Sequence, residues 1–362
     1  MKKIIFGITS LGVGGAERVL VDIVNNLSKN YEITIFCIYS GGAFEKEINK
    51  SVKIVSMYDK RYEEMSKFKR KIIPLYVLTC GKHIYKKYIK GKADTEVAFL
   101  EGPITRIFKN KSEAKKIVWV HNDIKEAFGR NLKAKLKNKI DEKIYSKYDK
   151  IIFVSKDNQK SFNELYKNKY FSKQEVIYNY IDKHRILKKA DKNIDLIPES
   201  QILTVARLVP QKSIDRLAKV HKKLIDAGFI HSINVIGDGP ERENIEKLIK
   251  ELNIGETFHL LGQIENPYPY IKKAKVFALL SNFEGYGMVI EEAKILDKPV
   301  VITATAAQEA VTGYGKKMIL ANTEEAIFEG LKQILSGNIV FEQNSTEYNN
   351  ENILEEIKEI IE

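Results

Sequence analysis

Two hydrophobic periods alternate along the whole chain. Short, nearly continuous runs of apolar residues recur at Ile4–Thr9, Ile33–Ile38, Val52–Val55, Glu96–Leu100, Ile117–Val120, Ile151–Val154 and Val176–Tyr178. They continue at Ile202–Val205, Ile233–Ile236, Thr257–Leu260, Val276–Leu279, Pro299–Ile302 and Met318–Leu320. Runs of this length and β-branched content predict strands covered on both faces. Between them the period lengthens. Ala16, Val19, Leu20, Ile23, Val24 and Leu27 follow the i, i+3, i+4, i+7, i+8, i+11 spacing of one apolar helix stripe. Regular strand–helix alternation predicts parallel sheets with helices on both sides.

The alternation pauses once. Residues 182–200 are polar, hold no clear strand and end in Ile197-Pro198-Glu199-Ser200, and a second series starts at Ile202. The expected organisation is an N-terminal domain over 1–181, a linker over 182–200 and a second domain over 201–337. A chain of 362 residues suits two domains of about 100–200 residues each. The fold class is α/β: two doubly wound, Rossmann-like domains facing across a cleft, with ligands at the carboxyl ends of the strands. Residues 338–349 read as a polar loop. Residues 350–362 read as an acidic helix with Ile353, Leu354, Ile357, Ile360 and Ile361 on one face, and this tail could pack back toward the N-terminal domain.

Composition narrows the classes. With 44% hydrophobic and 30% charged residues the chain is neither a fibre nor mostly disordered. Two cysteines, Cys37 and Cys80, are too few for a disulfide framework, which points to a reducing compartment. The longest apolar-rich run, Ile72–Gly81, is interrupted by Pro74 and Thr79 and is far shorter than the roughly 20 residues of a membrane-spanning helix. The opening Met-Lys-Lys and Ile4–Ile8 lack a cleavage pattern, so a mature cytoplasmic start is expected.

Charge is distributed unevenly. Residues 1–180 carry 37 basic and 20 acidic side chains, leaving 23 basic and 28 acidic ones for the remainder. The formal net charge of +12 therefore belongs to the first half. Residues 60–92 alone hold eleven basic and two acidic side chains, interleaved with Tyr62, Met65, Phe68, Ile72, Leu75, Tyr76 and others. Such a basic, apolar stretch suits an anionic membrane surface. Only nine of the 60 cations are Arg, and no zinc-finger spacing or RNA-binding signature is present, so no nucleic-acid partner is expected.

Candidate chemistry gathers just after strands. Gly14-Gly15-Ala16-Glu17-Arg18 follows the first strand and opens a helix, where glycines and free N–H groups admit a phosphate or sugar. It is not a dinucleotide fingerprint, since Glu17 stands where the last glycine would be. Glu101-Gly102-Pro103 and Trp119-Val120-His121-Asn122-Asp123 follow two further strands and could face a cleft. In the second half, Arg207 and Lys212 leave the first strand together, and an Arg fork with a Lys point charge suits a diphosphate. Gly237-Asp238-Gly239-Pro240 either admits a nucleotide or shapes a turn. Glu284-Gly285-Tyr286-Gly287-Met288-Val289 leads into a helix carrying Glu292. Carboxylates there can bind hydroxyls of a sugar and a ribose, and the amides of residues 286–288 can meet a phosphate.

In this order and spacing the motifs resemble the retaining glycosyltransferases of family 4, with the two-domain GT-B fold, over nearly the whole chain. That resemblance implies transfer of a sugar, a hexose or N-acetylhexosamine, from a nucleotide diphospho-sugar (a UDP-sugar foremost) to an acceptor hydroxyl, with retention at the anomeric carbon. It implies that Arg207 and Lys212 neutralise the leaving diphosphate, Glu284 holds the donor sugar and Glu292 the ribose. Gly14 and Gly15 would line the phosphates, and His121 would contact the sugar or stabilise its transition state. Gly237, Gly285, Tyr286, Gly287, Met288 and Val289 would complete the donor site, with Glu101 and Arg18 on the acceptor side. No metal or other cofactor is implied, the cations taking that part. With the basic first half, the expected setting is surface-glycan synthesis on a lipid-linked or polysaccharide acceptor, by a cytoplasmic protein peripheral on the inner face of the cell membrane. Three segments depart from the family pattern: Lys212-Ser213 for Lys-Gly, Asn179-Tyr180 for Asn-Gly, and Ala304-Thr305-Ala306-Ala307-Gln308-Glu309 for a Gly-Gly-x-x-Glu segment. A sugar epimerase or phosphorylase on a similar fold, and a non-catalytic nucleotide-sugar or polysaccharide binder, are the competing readings. An epimerase would need no acceptor, a phosphorylase would use free phosphate, and a binder would not release nucleotide.

Overall fold

Each predicted strand segment overlaps a strand in the computed structural model, which describes residues 1–122, 124, 141–192, 201–339, 341–342 and 351–362, the seventh only at Val176, its strand lying two residues earlier. The chain divides into two units, Met1–Ile181 with Asn350–Glu362, and Asp182–Asn349.

In the first unit the strands are β1 (Lys3–Ile8), β2 (Glu32–Tyr39), β3 (Lys53–Tyr58), β4 (Thr95–Ala98), β5 (Lys115–Val120), β6 (Lys150–Phe153) and β7 (Gln174–Val176). They form one parallel sheet in the order β3-β2-β1-β4-β5-β6-β7. The order reverses between β1 and β4, the switch point at which doubly wound sheets open a crevice. Helices α1 (Gly15–Leu27), α2 (Lys67–Tyr88), α3 (Pro103–Phe108) and α4 (Lys156–Tyr166) connect the strands. Gly7 in β1 has a packing reason: a Cβ there would collide with the Phe108 ring of α3. A buried polar chain ties α2, β4 and β5 together. Lys116 donates to Glu96 at 2.5 Å and to the Phe108 carbonyl at 2.6 Å, while the Tyr85 hydroxyl donates to Glu96 at 2.8 Å. Removing one member of such a buried pair strands the other, at a cost of about 3–5 kcal/mol.

The second unit repeats the plan with β8 (Ile202–Val205), β9 (Ile233–Ile236), β10 (Phe258–Gly262), β11 (Val276–Leu279), β12 (Val300–Thr303) and β13 (Lys317–Leu320). The order is β10-β9-β8-β11-β12-β13, again parallel, with its switch between β8 and β11. Its helices are α5 (Lys183–Ala190), α6 (Ile214–Asp226), α7 (Arg242–Glu251), α8 (Tyr268–Lys273), α9 (Met288–Ile295) and α10 (Glu324–Leu335).

One segment differs from the sequence reading. Residues 183–190, read as linker, form α5 within the second unit. Asp182 caps the helix by accepting the Arg185 N–H at 3.0 Å, and Ile186 and Ala190 are its buried residues. Residues 193–200 of the expected linker lie outside the described residues, as do Asp123 and most of the 338–350 loop. The acidic tail forms α11 (Glu351–Ile361) and packs in the first unit through Ile357, Ile360 and Ile361. There Thr95 donates to the Ile361 carbonyl at 2.8 Å, and the Tyr31 hydroxyl to Glu362 at 2.6 Å.

Candidate active site

In the first unit the candidates occupy the exits of three adjacent strands. After β1, Gly14 caps α1 with extended backbone, and its carbonyl accepts the Arg18 N–H at 3.0 Å. A Cβ at Gly14 would run into the Glu17 carboxylate folded over it. Gly15, the first helical residue, is exposed. Arg18 is buried and committed internally. It meets Glu47 at 2.9 Å and Asp22 at 3.5 Å, and its guanidinium lies 3.9 Å from the centre of the Phe44 ring. The structure thus gives Arg18 the work of pinning the 44–47 turn onto α1.

After β4 and β5 come Glu101 and His121. Glu101 is buried, and its carboxylate accepts the His121 backbone N–H at 3.1 Å and the Asn122 side-chain amide. Burial pushes this carboxyl up from its ordinary range, against the downward pull of those donors. It acts on the turn that carries His121. The imidazole packs on the Phe99 ring, centroids 4.7 Å apart, and bonds the Phe99 carbonyl. A carbonyl accepts only from N–H, so Nδ1 holds the proton and Nε2 offers a lone pair. Nε2 has no partner among the described residues. Burial pulls the imidazole down to about 3, so it is neutral at physiological pH. Beyond β6, Asn158 donates to the His121 carbonyl at 3.4 Å, and its own Oδ1 is buried without a partner among the described residues. The sequence reading missed Asn158. Its one signal was the Ser155 cap three residues earlier, which accepts the Asn158 N–H at 3.1 Å.

In the second unit the candidates lie at the exits of β8 and β11, on either side of its switch point. Arg207 is exposed and makes no ion pair with any described residue. Lys212 ends a short turn, Pro210–Lys212, and its ammonium meets Glu284 at 2.5 Å. Glu284 is buried and Lys212 largely so. The two loops are locked together. Gln211 donates to the Phe283 carbonyl at 2.9 Å, and Asn282 donates from its backbone to Gln211 and from its side chain to Pro210, at 2.8 and 3.1 Å.

Gly237 and Gly239 have a structural reason. A Cβ at Gly237 would strike the Ala206 carbonyl, and one at Gly239 the Leu208 carbonyl, so the glycines let the β8 and β9 exits touch. Gly237, at φ 138°, also adopts backbone that only glycine takes easily. Gly287 is the left-handed cap of α9, at φ 85°. Gly285, Met288 and Val289 are half-buried around that helix start. Tyr286 is buried and donates to Glu291 at 2.7 Å, and Glu291 in turn pairs with Lys294 at 2.8 Å. Glu292 is buried and accepts the Tyr268 hydroxyl at 3.1 Å.

The model of the family described as Glycosyltransferase Family 4 matches residues 13–185, and that of Glycosyl transferases group 1 matches residues 188–352. An N-acetylgalactosamine-N,N'-diacetylbacillosaminyl-diphospho-undecaprenol 4-alpha-N-acetylgalactosaminyltransferase of Campylobacter jejuni is 30% identical, over 92% of this chain and 90% of its own. The chain belongs to the family 4 glycosyltransferases. A second C. jejuni protein, a GalNAc-alpha-(1->4)-GalNAc-alpha-(1->3)-diNAcBac-PP-undecaprenol alpha-1,4-N-acetyl-D-galactosaminyltransferase, is 26% identical over 81% of the chain and 77% of its own. The crystal structure of Anabaena Alr3699/HepE in complex with UDP superposes with a TM-score of 0.72 at 16% identity, covering 99% of both chains. The fold is therefore GT-B, and the protein is a glycosyltransferase.

This glycosyltransferase absorbs its departures from the family pattern locally. Ser213 takes the left-handed conformation, φ 50°, that the family's usual glycine would take freely. Tyr180 is buried, and its hydroxyl accepts from Asn26 at 2.7 Å. Ala306 and Ala307 begin a short helical turn, and both are buried.

Proposed function

We propose that this glycosyltransferase moves a hexose or N-acetylhexosamine from a UDP-sugar to a lipid-linked or polysaccharide acceptor in surface-glycan synthesis, with retention and without a metal ion. The observation that carries the donor half is the Lys212–Glu284 pair, with Arg207 five residues before Lys212 exposed and in no ion pair with any described residue. Lys212 and Glu284 neutralise each other. A nucleotide diphospho-sugar offers both a better partner, anionic oxygens for Lys212 and Arg207 and hydroxyl donors for Glu284. Fixed cations then stabilise the charge that develops on the leaving diphosphate.

In the reaction the anomeric C–O bond breaks with its electron pair going to the diphosphate. The acceptor oxygen bonds to the same face of that carbon, and its proton passes to the departing phosphate oxygen. No side chain is needed as nucleophile. His121, neutral and presenting Nε2 as an acceptor, suits a sugar hydroxyl and supplies no positive charge. The acceptor class is supported by the C. jejuni relatives, named for diphospho-undecaprenol glycans, and the nucleotide by HepE, which was crystallised with UDP.

The membrane setting is supported by α2. One face buries Ile73, Val77, Ile84 and Tyr85 in the core, while Phe68, Ile72, Leu75 and Leu78 are exposed. Lys82, Lys86 and Lys87 stand in the last two turns of the helix, and Lys90 follows its end. No described helix is long and apolar enough to cross a membrane, and the reading is of peripheral docking on the inner face.

The test is a panel of UDP-, GDP- and ADP-sugars, with and without membrane lipid extract, followed by release of nucleoside diphosphate. Release with a UDP-sugar that rises with lipid extract and disappears in Glu284→Ala supports the reading. Release unaffected by Glu284→Ala or by lipid would sink it.

A further inference from the structure

Glu292 is the end of a three-member chain. The Tyr268 hydroxyl donates to Glu292 Oε1 at 3.1 Å, and the phenol oxygen itself accepts from Arg185 Nη1 at 2.9 Å. A phenol has one proton, and an arginine only donates. With Arg185 on the oxygen's acceptor side, the proton must point at Glu292, so the chain runs one way, from Arg185 through Tyr268 to the carboxylate. Tyr268 is buried, and burial together with the Glu292 charge pushes its phenol well up, so it remains a donor at any physiological pH. The members come from three helices, α5, α8 and α9, which pack against one another. Arg185 also lies against the Tyr268 ring, 5.7 Å from its centre.

We infer that Arg185 and Tyr268 are positioning residues for the nucleotide's ribose: they hold Glu292 Oε1 so that the carboxylate meets the ribose hydroxyls in one orientation. This rests on the reading of Glu292 as the ribose carboxylate. Binding energy from a carboxylate–hydroxyl pair depends on direction, and a freely rotating carboxylate would spend part of it on being ordered. The helix just after Ile181 thereby acts on donor affinity although none of its residues needs to touch the donor.

A purely structural tyrosine and a positioning tyrosine differ in one atom. Tyr268→Phe keeps the ring and its packing and removes only the O–H. The readout is the ratio of dissociation constants for a nucleoside diphosphate and its 2′-deoxy analogue, using whichever of UDP, GDP and ADP binds the wild type most tightly. Wild type should favour the ribose form by about tenfold or more, the scale of one charge-assisted hydrogen bond. Glu292→Gln should erase most of that preference. Tyr268→Phe should reduce it about three- to tenfold, with kcat at saturating donor nearly unchanged and the melting temperature lowered but the fold kept, and Arg185→Gln should act in the same direction. If Glu292→Gln erases the preference but Tyr268→Phe retains it in full, the inference falls and the ribose role of Glu292 stands. If Glu292→Gln leaves the preference intact, or no nucleoside diphosphate binds, the donor-site reading itself falls and the inference with it. Should Arg185→Gln fail to fold, Tyr268→Phe decides alone.

Discussion

Residues of the same type have opposite standing here, and only their neighbours explain it. Arg18 and Arg207 both follow the first strand of their unit. Arg18 is consumed by Glu47, Asp22 and Phe44, whereas Arg207 is exposed and unpaired among the described residues. Lys212 stands between these extremes, paired with the very carboxylate proposed to bind the donor sugar. Lys212→Ala should lower kcat by about 10²–10³-fold, the cost of deleting one preorganised transition-state contact, while Lys212→Arg keeps part of the rate. Single-turnover release of nucleoside diphosphate measures both. Its neighbour Ser213 is buried at φ 50°. A non-glycine residue pays about 1–2 kcal/mol there, partly offset by the backbone entropy that glycine loses on folding. Ser213→Gly should therefore raise stability by about 0.5–1 kcal/mol, read from chemical denaturation.

Among the elements, α6 carries a buried polar chain unrelated to donor chemistry. His231 Nδ1 bonds the Phe229 carbonyl at 2.9 Å, and its Nε2 meets His221 Nδ1 at 2.8 Å. His221 Nε2 meets the Thr257 hydroxyl at 2.8 Å. The carbonyl requires a proton on His231 Nδ1, so His231 Nε2 accepts from His221 Nδ1. His231 can fill that acceptor role only when neutral. Burial draws both downward, His221 to about 3. In the unfolded chain they protonate near pH 6.5 while the folded protein keeps them neutral. The unfolded state thus binds more protons below that pH, and stability falls as pH drops. At pH 5.5 the His221 ring should cost about 1.4 kcal/mol relative to pH 7.5, and His231 acts in the same direction. Unfolding curves across that range should show the loss, and His221→Gln should reduce it. Elements with a full apolar stripe, such as α1, were legible from periodicity. Helix α5 was not, because only Ile186 and Ala190 are buried in eight residues, and its Asp182 cap resembles any polar loop.

At the scale of the whole molecule, the charge excess of the first half meets an apolar outer face on α2. Each Lys near an anionic surface contributes about 1 kcal/mol. Replacing Lys82, Lys86, Lys87 and Lys90 by Gln should weaken binding to vesicles containing anionic lipid by about a hundredfold or more at low salt, and raising the salt should weaken the wild type similarly. Co-sedimentation with anionic and neutral vesicles checks it, and binding unchanged by the substitutions would remove the membrane from the proposal.

The strand segments, the doubly wound class and the family were settled by sequence alone, because buried parallel strands and gapless glycine-rich turns leave local patterns that need no partner to be seen. Which carboxylate pairs with which cation was decided by tertiary structure. Lys212 and Glu284 lie 72 positions apart, and Arg185, Tyr268 and Glu292 span more than a hundred. The two parallel sheets bring the strand exits of each unit to one edge. The pairing there follows from burial: a charge or hydroxyl taken from water must find a partner among whatever the fold places beside it.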